Sequence, residues 1–292
     1  MNKIFCFVAI LAIASPSAFG QHPGAQRDYI HNHMLWTNTQ LMGKIKGKFN
    51  YSLDIEMRRQ ADPRSAYERG DKVGNDHFNI IKNPYQDALR PFIHYQPNDK
   101  VRFSWSPITW FGTWSFPING KTTYQPEFRT SPQITFFSNL GRIQLVHRYR
   151  YEFRFYGVKK LDTHPGDPTG PADSYDFPGT GRMGRFRYML RVFVPFNKTK
   201  IETGAWYLMT SSELFISTGK NVPSNKILDQ NRFYFMIGYK FCPEFRLELG
   251  YLNQTAFRMN NKAKNNVDFN NNIAVNIIFD DFNSLFKKKK TE

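Results

Sequence analysis

The sequence predicts an all-β chain, an up-and-down transmembrane antiparallel β-barrel of about 10–12 strands. Three observations predict it. Long segments alternate apolar and polar residues with period two, the pattern of strands with two unlike faces. Many of these segments run 11 residues or more, whereas tilted strands need about 9–11 residues to cross a bilayer. Short turns and long polar loops also alternate along the chain, so the turns gather at one end of the sheet and the loops at the other.

The first twenty residues read as an export signal. Lys3 supplies the positive start, Ile4 to Ala14 the apolar centre, and Ala18-Phe19-Gly20 a small-x-small cleavage site before Gln21. Ile4 to Ala14 is also the longest apolar run in the chain, and a spanning helix needs about 20 residues. A helical membrane protein is therefore excluded. Residues 21–292 remain as one barrel domain with Cys242 as its sole thiol, so no disulfide can form within one mature chain.

Strand segments follow in order. A weak one spans about 32–42, and a strict one runs from Lys48 to Arg58, with Phe49, Tyr51, Leu53, Ile55 and Met57 opposing Ser52, Asp54, Glu56 and Arg58. Weak segments follow near 86–96, 100–111 and 126–138. From Arg142 to Tyr156, Ile143, Leu145, Tyr149, Tyr151, Phe153 and Phe155 oppose Arg148, Arg150, Glu152 and Arg154, with His147 the one polar residue on the apolar face. From Arg185 to Phe196, Phe186, Tyr188, Leu190, Val192 and Val194 oppose Arg185, Arg187 and Arg191. A weak segment at 201–216 carries Glu213. Three more strict ones hold Arg232, then Arg246 and Glu248, then Asn270, Asn272 and Asn276.

These make about eleven segments. Bacterial single-chain barrels have even strand numbers, so an even count is expected, with twelve ahead of ten. Residues 24–31 would add a short strand, or 32–42 would stay outside the barrel. Long loops are expected near 60–85, 112–125, 158–182, 217–229 and 257–267. The one at 158–182 carries Pro165, Pro168, Pro171 and Pro178, and it is expected to hold no regular structure.

In lipid every backbone polar group must be paired, so the sheet has to close. Closure turns the aromatic face (Phe153, Phe155, Tyr188, Leu190, Phe233, Leu249) to hydrocarbon. It leaves Asp54, Glu56, Arg58, Arg90, His94, Arg129, Arg148, Arg150, Glu152, Arg154, Arg185, Arg187, Arg191, Glu213, Arg232, Arg246 and Glu248 lining a lumen. A soluble barrel or sandwich would pack these faces the other way round.

Composition narrows the function. Aromatics at 16%, including 28 Phe, exclude general disorder. The +16 charge does not point to nucleic acid, because the arginines are spaced along strand faces rather than grouped with stacking aromatics. Lys287–Lys290 read as a solvated tail. His31 and His33 share a strand face, yet a zinc site needs three or four ligands, so no metal and no cofactor is expected. His147 with Ser138, or His94 with Ser104 or Ser106, hold the ingredients of a serine site without a nucleophile motif. Enzyme activity is thus not the expectation, and a membrane-embedded lipid hydrolase stands as the alternative. Passive transport or a structural and interaction role leads. The expected partners are outer-membrane lipid and small anionic solutes. Arg and acid side chains filling a narrow lumen are favoured over an open pore, and any solvent path should prefer anions.

Leu228-Asp229-Gln230-Asn231-Arg232-Phe233, Gly238-Tyr239-Lys240 and Arg246-Leu247-Glu248-Leu249-Gly250-Tyr251-Leu252-Asn253-Gln254 resemble the C-terminal signature of an uncharacterised Gram-negative family, number twenty-four ninety among domains of unknown function. Leu145 to Glu152, Arg185 to Tyr188, Ser212 to Phe215 and Trp36 with the Lys-rich turn after it resemble further parts of that family. The resemblance implies a β-barrel at the cell outer membrane. It implies no established activity and carries over no catalytic residue. The chain continues past Phe279 and Phe282 to Lys287–Lys290 and Glu292 where the family pattern stops at an aromatic.

Overall fold

The computed structural model describes residues 29–62, 76–114, 124–159, 175–176, 183–219, 222, 227–257 and 267–286. The export segment 1–20, the tail Lys287–Lys290, residues 63–75 of the loop near 60–85 and most of the loop near 158–182 lie outside the described residues.

Eleven long strands of the described residues close into one barrel. They are β1 (Tyr29–Lys46), β2 (Phe49–Gln60), β3 (Asn83–Asn98), β4 (Val101–Trp114), β5 (Tyr124–Leu140) and β6 (Ile143–Tyr156). After the two-residue β7 (Val158–Lys159) and β8 (Tyr175–Asp176) come β9 (Met183–Pro195), β10 (Trp206–Thr218), β11 (Leu228–Cys242), β12 (Phe245–Phe257) and β13 (Val267–Phe279). Barrel neighbours follow chain order, and all ladders between consecutive barrel strands are antiparallel.

The expected barrel of about 10–12 strands is found, and three narrower expectations are corrected. The count is odd, not twelve or ten, and β1 closes on β13 as a parallel pair from Tyr29↔Val267 to Leu41↔Phe279. The reason is geometric: an odd number of up-and-down strands leaves first and last running the same way, and a parallel ladder still pairs every backbone group. The weak segment near 32–42 lies within β1, an 18-residue strand; of the candidate extra strand 24–31, residues 29–31 extend β1 and 24–28 lie outside the described residues. The loop at 158–182 does hold a short ladder, Val158↔Asp176 and Lys159↔Tyr175.

Local chemistry explains the turns. Gly47 (φ 57°) and Gly141 (φ 59°) adopt the left-handed backbone that two-residue hairpins require. The turn at Asp99–Lys100 has no glycine; there Asn98 Oδ1 accepts from Lys100 N at 2.9 Å and Val101 N at 3.0 Å, an Asx-type closure. β4 read weakly in sequence because Pro107 and Ile108 form an irregularity between Ser106 and Thr109 that shifts the alternation.

The two faces are inverted relative to a water-soluble barrel. On β2, Glu56 is 8% exposed while Ile55 and Met57 are 41% and 42% exposed. On β12, Glu248 is buried while Leu249, its neighbour, is exposed. The interior also holds a smaller apolar cluster of Trp36, Met189, Tyr207, Met209, Met236 and Leu252. Tyr207 lies across its register partner Gly238, where an added Cβ would meet the ring at 2.2 Å. Its hydroxyl donates to Glu248 Oε1 at 2.9 Å, which keeps both polar groups satisfied.

Candidate functional site

The inward side chains form a network organised by seven acids. Strand alternation delivers them, because residues two apart on a strand point to the same wall. Glu127 on β5 accepts from Arg129 Nε and Nη2, both at 2.7 Å, and from Arg154 Nε at 2.6 Å. Glu152 on β6 accepts from Arg185 Nη2 at 2.6 Å and Arg129 Nη1 at 3.3 Å, and also bonds Arg187. Arg185 reaches Asp229 as well, at 2.8 Å. Glu213 on β10 accepts from Arg148 at 2.6 Å and Arg187 Nε at 2.9 Å. Glu56 bonds Arg58 and accepts from Arg90 at 2.7 Å. Asp54 accepts from Gln40 at 2.7 Å and lies 3.6 Å from Arg90. Glu248 lies 3.8 Å from Arg246 and accepts from Asn276 at 2.7 Å.

Aromatic faces stack on several of the acid-bound guanidiniums and on Arg232, which no acid holds among the described residues. Trp36 has Arg58 at 3.4 Å and Arg232 at 4.6 Å from its centroid. Phe215 meets Arg187 at 4.3 Å and Arg232 at 4.6 Å, and Phe111 meets Arg129 at 3.7 Å. Such contacts favour a cation most where water is excluded.

All seventeen residues singled out for the lumen lie on barrel strands, and each joins the interior network or lines an interior cavity. Arg191 and Arg232 differ from the other arginines of this set: like Arg102, they make no ion pair among the described residues. Sequence reasoning missed Arg102 and Glu127. Glu127 shares strand parity with Arg129, a signal that was present; Arg102 lay in the segment blurred by Pro107.

Three interior cavities, of about 190, 90 and 140 Å³, adjoin one another. The first two share Asp54, Arg148, Arg191 and Arg246; the second and third share Arg90, Arg187 and Arg232. His94, buried beside the largest cavity, contacts Ser104 Oγ through Nδ1 at 2.7 Å and Ser52 Oγ through Nε2 at 2.9 Å. On the outer wall His147 Nδ1 meets Tyr188 Oη at 3.0 Å, not Ser138. His31 stacks on Phe269 and His33 on Phe78. Among the described residues no group of three or more potential ligands converges on a metal position.

A family described as protein of unknown function, DUF2490, matches residues 33–266, from early in β1 to the start of β13. The chain belongs to this family. Membership in DUF2490 agrees with the resemblance in the β11 and β12 signatures and assigns no activity. No curated protein and no solved structure gave a significant match.

Proposed function

We propose that this DUF2490 barrel sits in the outer membrane of a Gram-negative cell and lets small anions through its interior. The observation that carries the reading is the inversion of its two faces. Exposed Ile55, Trp105, Phe153, Phe235, Leu249 and Ile273 clothe the outside, whereas Glu152 and Glu248, each 1% exposed, lie inside. An apolar outer band and a polar interior are what a bilayer requires of a closed sheet. A chain of rings supports the placement: Trp206, Tyr239, Phe241, Phe245, Phe279, Phe282 and Phe286 follow one another at centroid spacings of 4.7 to 6.0 Å near the short turns. Aromatic girdles mark the interfaces of such barrels.

The anion part of the reading rests on the adjoining cavities and on the arginines that no acid neutralises. A guanidinium stays charged in a protein, so the interior carries a positive surplus that water or an anion must balance. Eleven strands make a narrower bore than the 16–18 of open porins, and the Arg–Glu bridges constrict it further.

Reversal potentials of the refolded protein in planar bilayers under a salt gradient test this. Anion preference is the expected result, and cation preference in an open wild-type barrel overturns it. Absence of any conductance would replace transport by a sealed, structural barrel.

A further inference from the structure

The largest of the three cavities is lined by two of the arginines that no acid holds among the described residues, Arg102 and Arg191. Arg102, Arg148, Arg150, Arg191 and Arg246 face it, and Asp54 is the one acid among its lining residues. That acid is already engaged by Gln40 and Arg90. Arg102 and Arg191 make no ion pair among the described residues, and the Nε of each is buried without a hydrogen-bond acceptor. Arg150 is 3% exposed. Its Nε and Nη2 both donate to Gln133 Oε1, at 2.8 and 2.6 Å, while its buried Nη1 has no acceptor. Thr135 pairs with Arg102 on one side and Arg148 on the other, so these two arginines share one row of the wall, about 10 Å apart. Arg150 is two residues from Arg148 on the same face of β6, and Arg191 pairs with Val146 one step the other way.

Arg102 and Arg191 are partly buried; charge held in a confined interior without a counter-charge is unfavourable, and their buried, unsatisfied Nε donors add to the penalty. Two unpaired guanidiniums and a spare Nη1 on a third call for two negative charges and several acceptor oxygens in a small volume. A halide supplies one charge and no directed acceptors. A tetrahedral oxyanion supplies both, and guanidinium forks match its oxygen pairs.

We propose that this cavity is a binding site for a compact, doubly charged oxyanion of the phosphate or sulfate class, held by Arg102, Arg150 and Arg191. The site deepens the anion reading above and rests on it only in that solute must reach the interior. Occupied, it would concentrate such anions within the barrel; the neighbouring Arg148 and Arg246 keep their own acids.

Calorimetric titration of the refolded full chain in detergent micelles with inorganic phosphate, at constant ionic strength set with chloride, tests the site. One saturable site per chain is expected. Arg102→Gln and Arg191→Gln should each weaken it at least tenfold. Lys198→Gln, which removes one charge from an exposed turn, should leave it within twofold. Neither Arg102 nor Arg191 holds an ion pair, so both variants should refold; should either fail, Arg102→Lys and Arg191→Lys keep the charge, lose the fork and should still weaken binding. No saturable heat with the wild type, or equal weakening by Lys198→Gln, overturns the proposal. Phosphate binding without conductance would defeat conduction alone, and anion conductance without phosphate binding would defeat this site alone.

Discussion

Arg150 on β6 and Arg187 on β9 are register partners, two guanidiniums directly opposite on one interior wall. Like charges so placed repel. Glu152, the next inward residue along β6, relieves them by bonding Arg187 and lying 3.9 Å from Arg150 Nη1, while it also holds Arg185 and Arg129. One buried carboxylate therefore serves four arginines.

Glu152→Gln should be among the most destabilising single changes in the barrel. It keeps the shape but leaves Arg185 and Arg187, side by side on β9, with less counter-charge, and breaking a buried pair costs about 3–5 kcal/mol. Urea unfolding of the barrel refolded into lipid vesicles measures this; a loss under about 1 kcal/mol would show that water screens the network.

The outer wall is tested by Leu190→Arg on β9. At mid-bilayer an outward Arg should cost about 2–4 kcal/mol, read from the same unfolding curves. Arg187→Gln, on the inward face of that strand, is not mild either, because Arg187 bonds both Glu152 and Glu213. Spin labels should report lipid at position 190 and water at 187.

Glu213→Ala should raise the anion preference of any conductance. It frees Arg148, whose one carboxylate partner is Glu213 among the described residues, and halves the acid contacts of Arg187. A shift of reversal potential toward cation preference would contradict the interior charge balance set out above.

Asp62, just past β2, gives a pH test outside the strands. Burial alone would raise its pKa. Hydrogen bonds from Lys82 at 2.6 Å, Asp76 N at 3.0 Å and Asn83 at 2.9 Å outweigh this and lower it. A depressed folded pKa means that Asp62 stabilises this loop fully above the unfolded value of about 4. That contribution fades as pH falls through the lower folded value. Protection of the Asp76 amide against hydrogen exchange, corrected for intrinsic rate, should fall in that acid window in the wild type. Asp62→Asn should show weaker protection at neutral pH and no acid transition.

Much of this was legible in the sequence where alternation was strict. Lys48 to Arg58 and Arg142 to Tyr156 announce both their strands and the sides their charges take, because one slip would turn every arginine to the wrong face. Legibility failed where the backbone breaks the period: Pro107 hid the parity of Arg102, and with it a main wall of the largest cavity. The strand number failed differently. The alternating segments themselves gave about eleven, and a rule drawn from other barrels displaced that count. Which arginines lack an acid was not legible at all, since pairing depends on register between strands, and a single strand's pattern does not carry it.

The parallel seam between β1 and β13 has a consequence for the two ends of the barrel. Chain enters at Tyr29, level with Val267, and leaves at Phe279, level with Leu41, so the two points lie about 40 Å apart along the strand direction at about 3.3 Å per residue. In the proposed outer-membrane placement, a tag joined directly before Tyr29 and one joined after Phe286 would lie at opposite mouths, and antibody would reach only one of them on an intact cell. Joining the ends to make a circular permutant, tolerated where termini are neighbours, would need a linker of about 12 extended residues. That linker would have to thread an interior already occupied by Arg–Glu bridges, or run outside along the apolar wall. New chain ends are better sought by cutting at the turns than by joining across this seam.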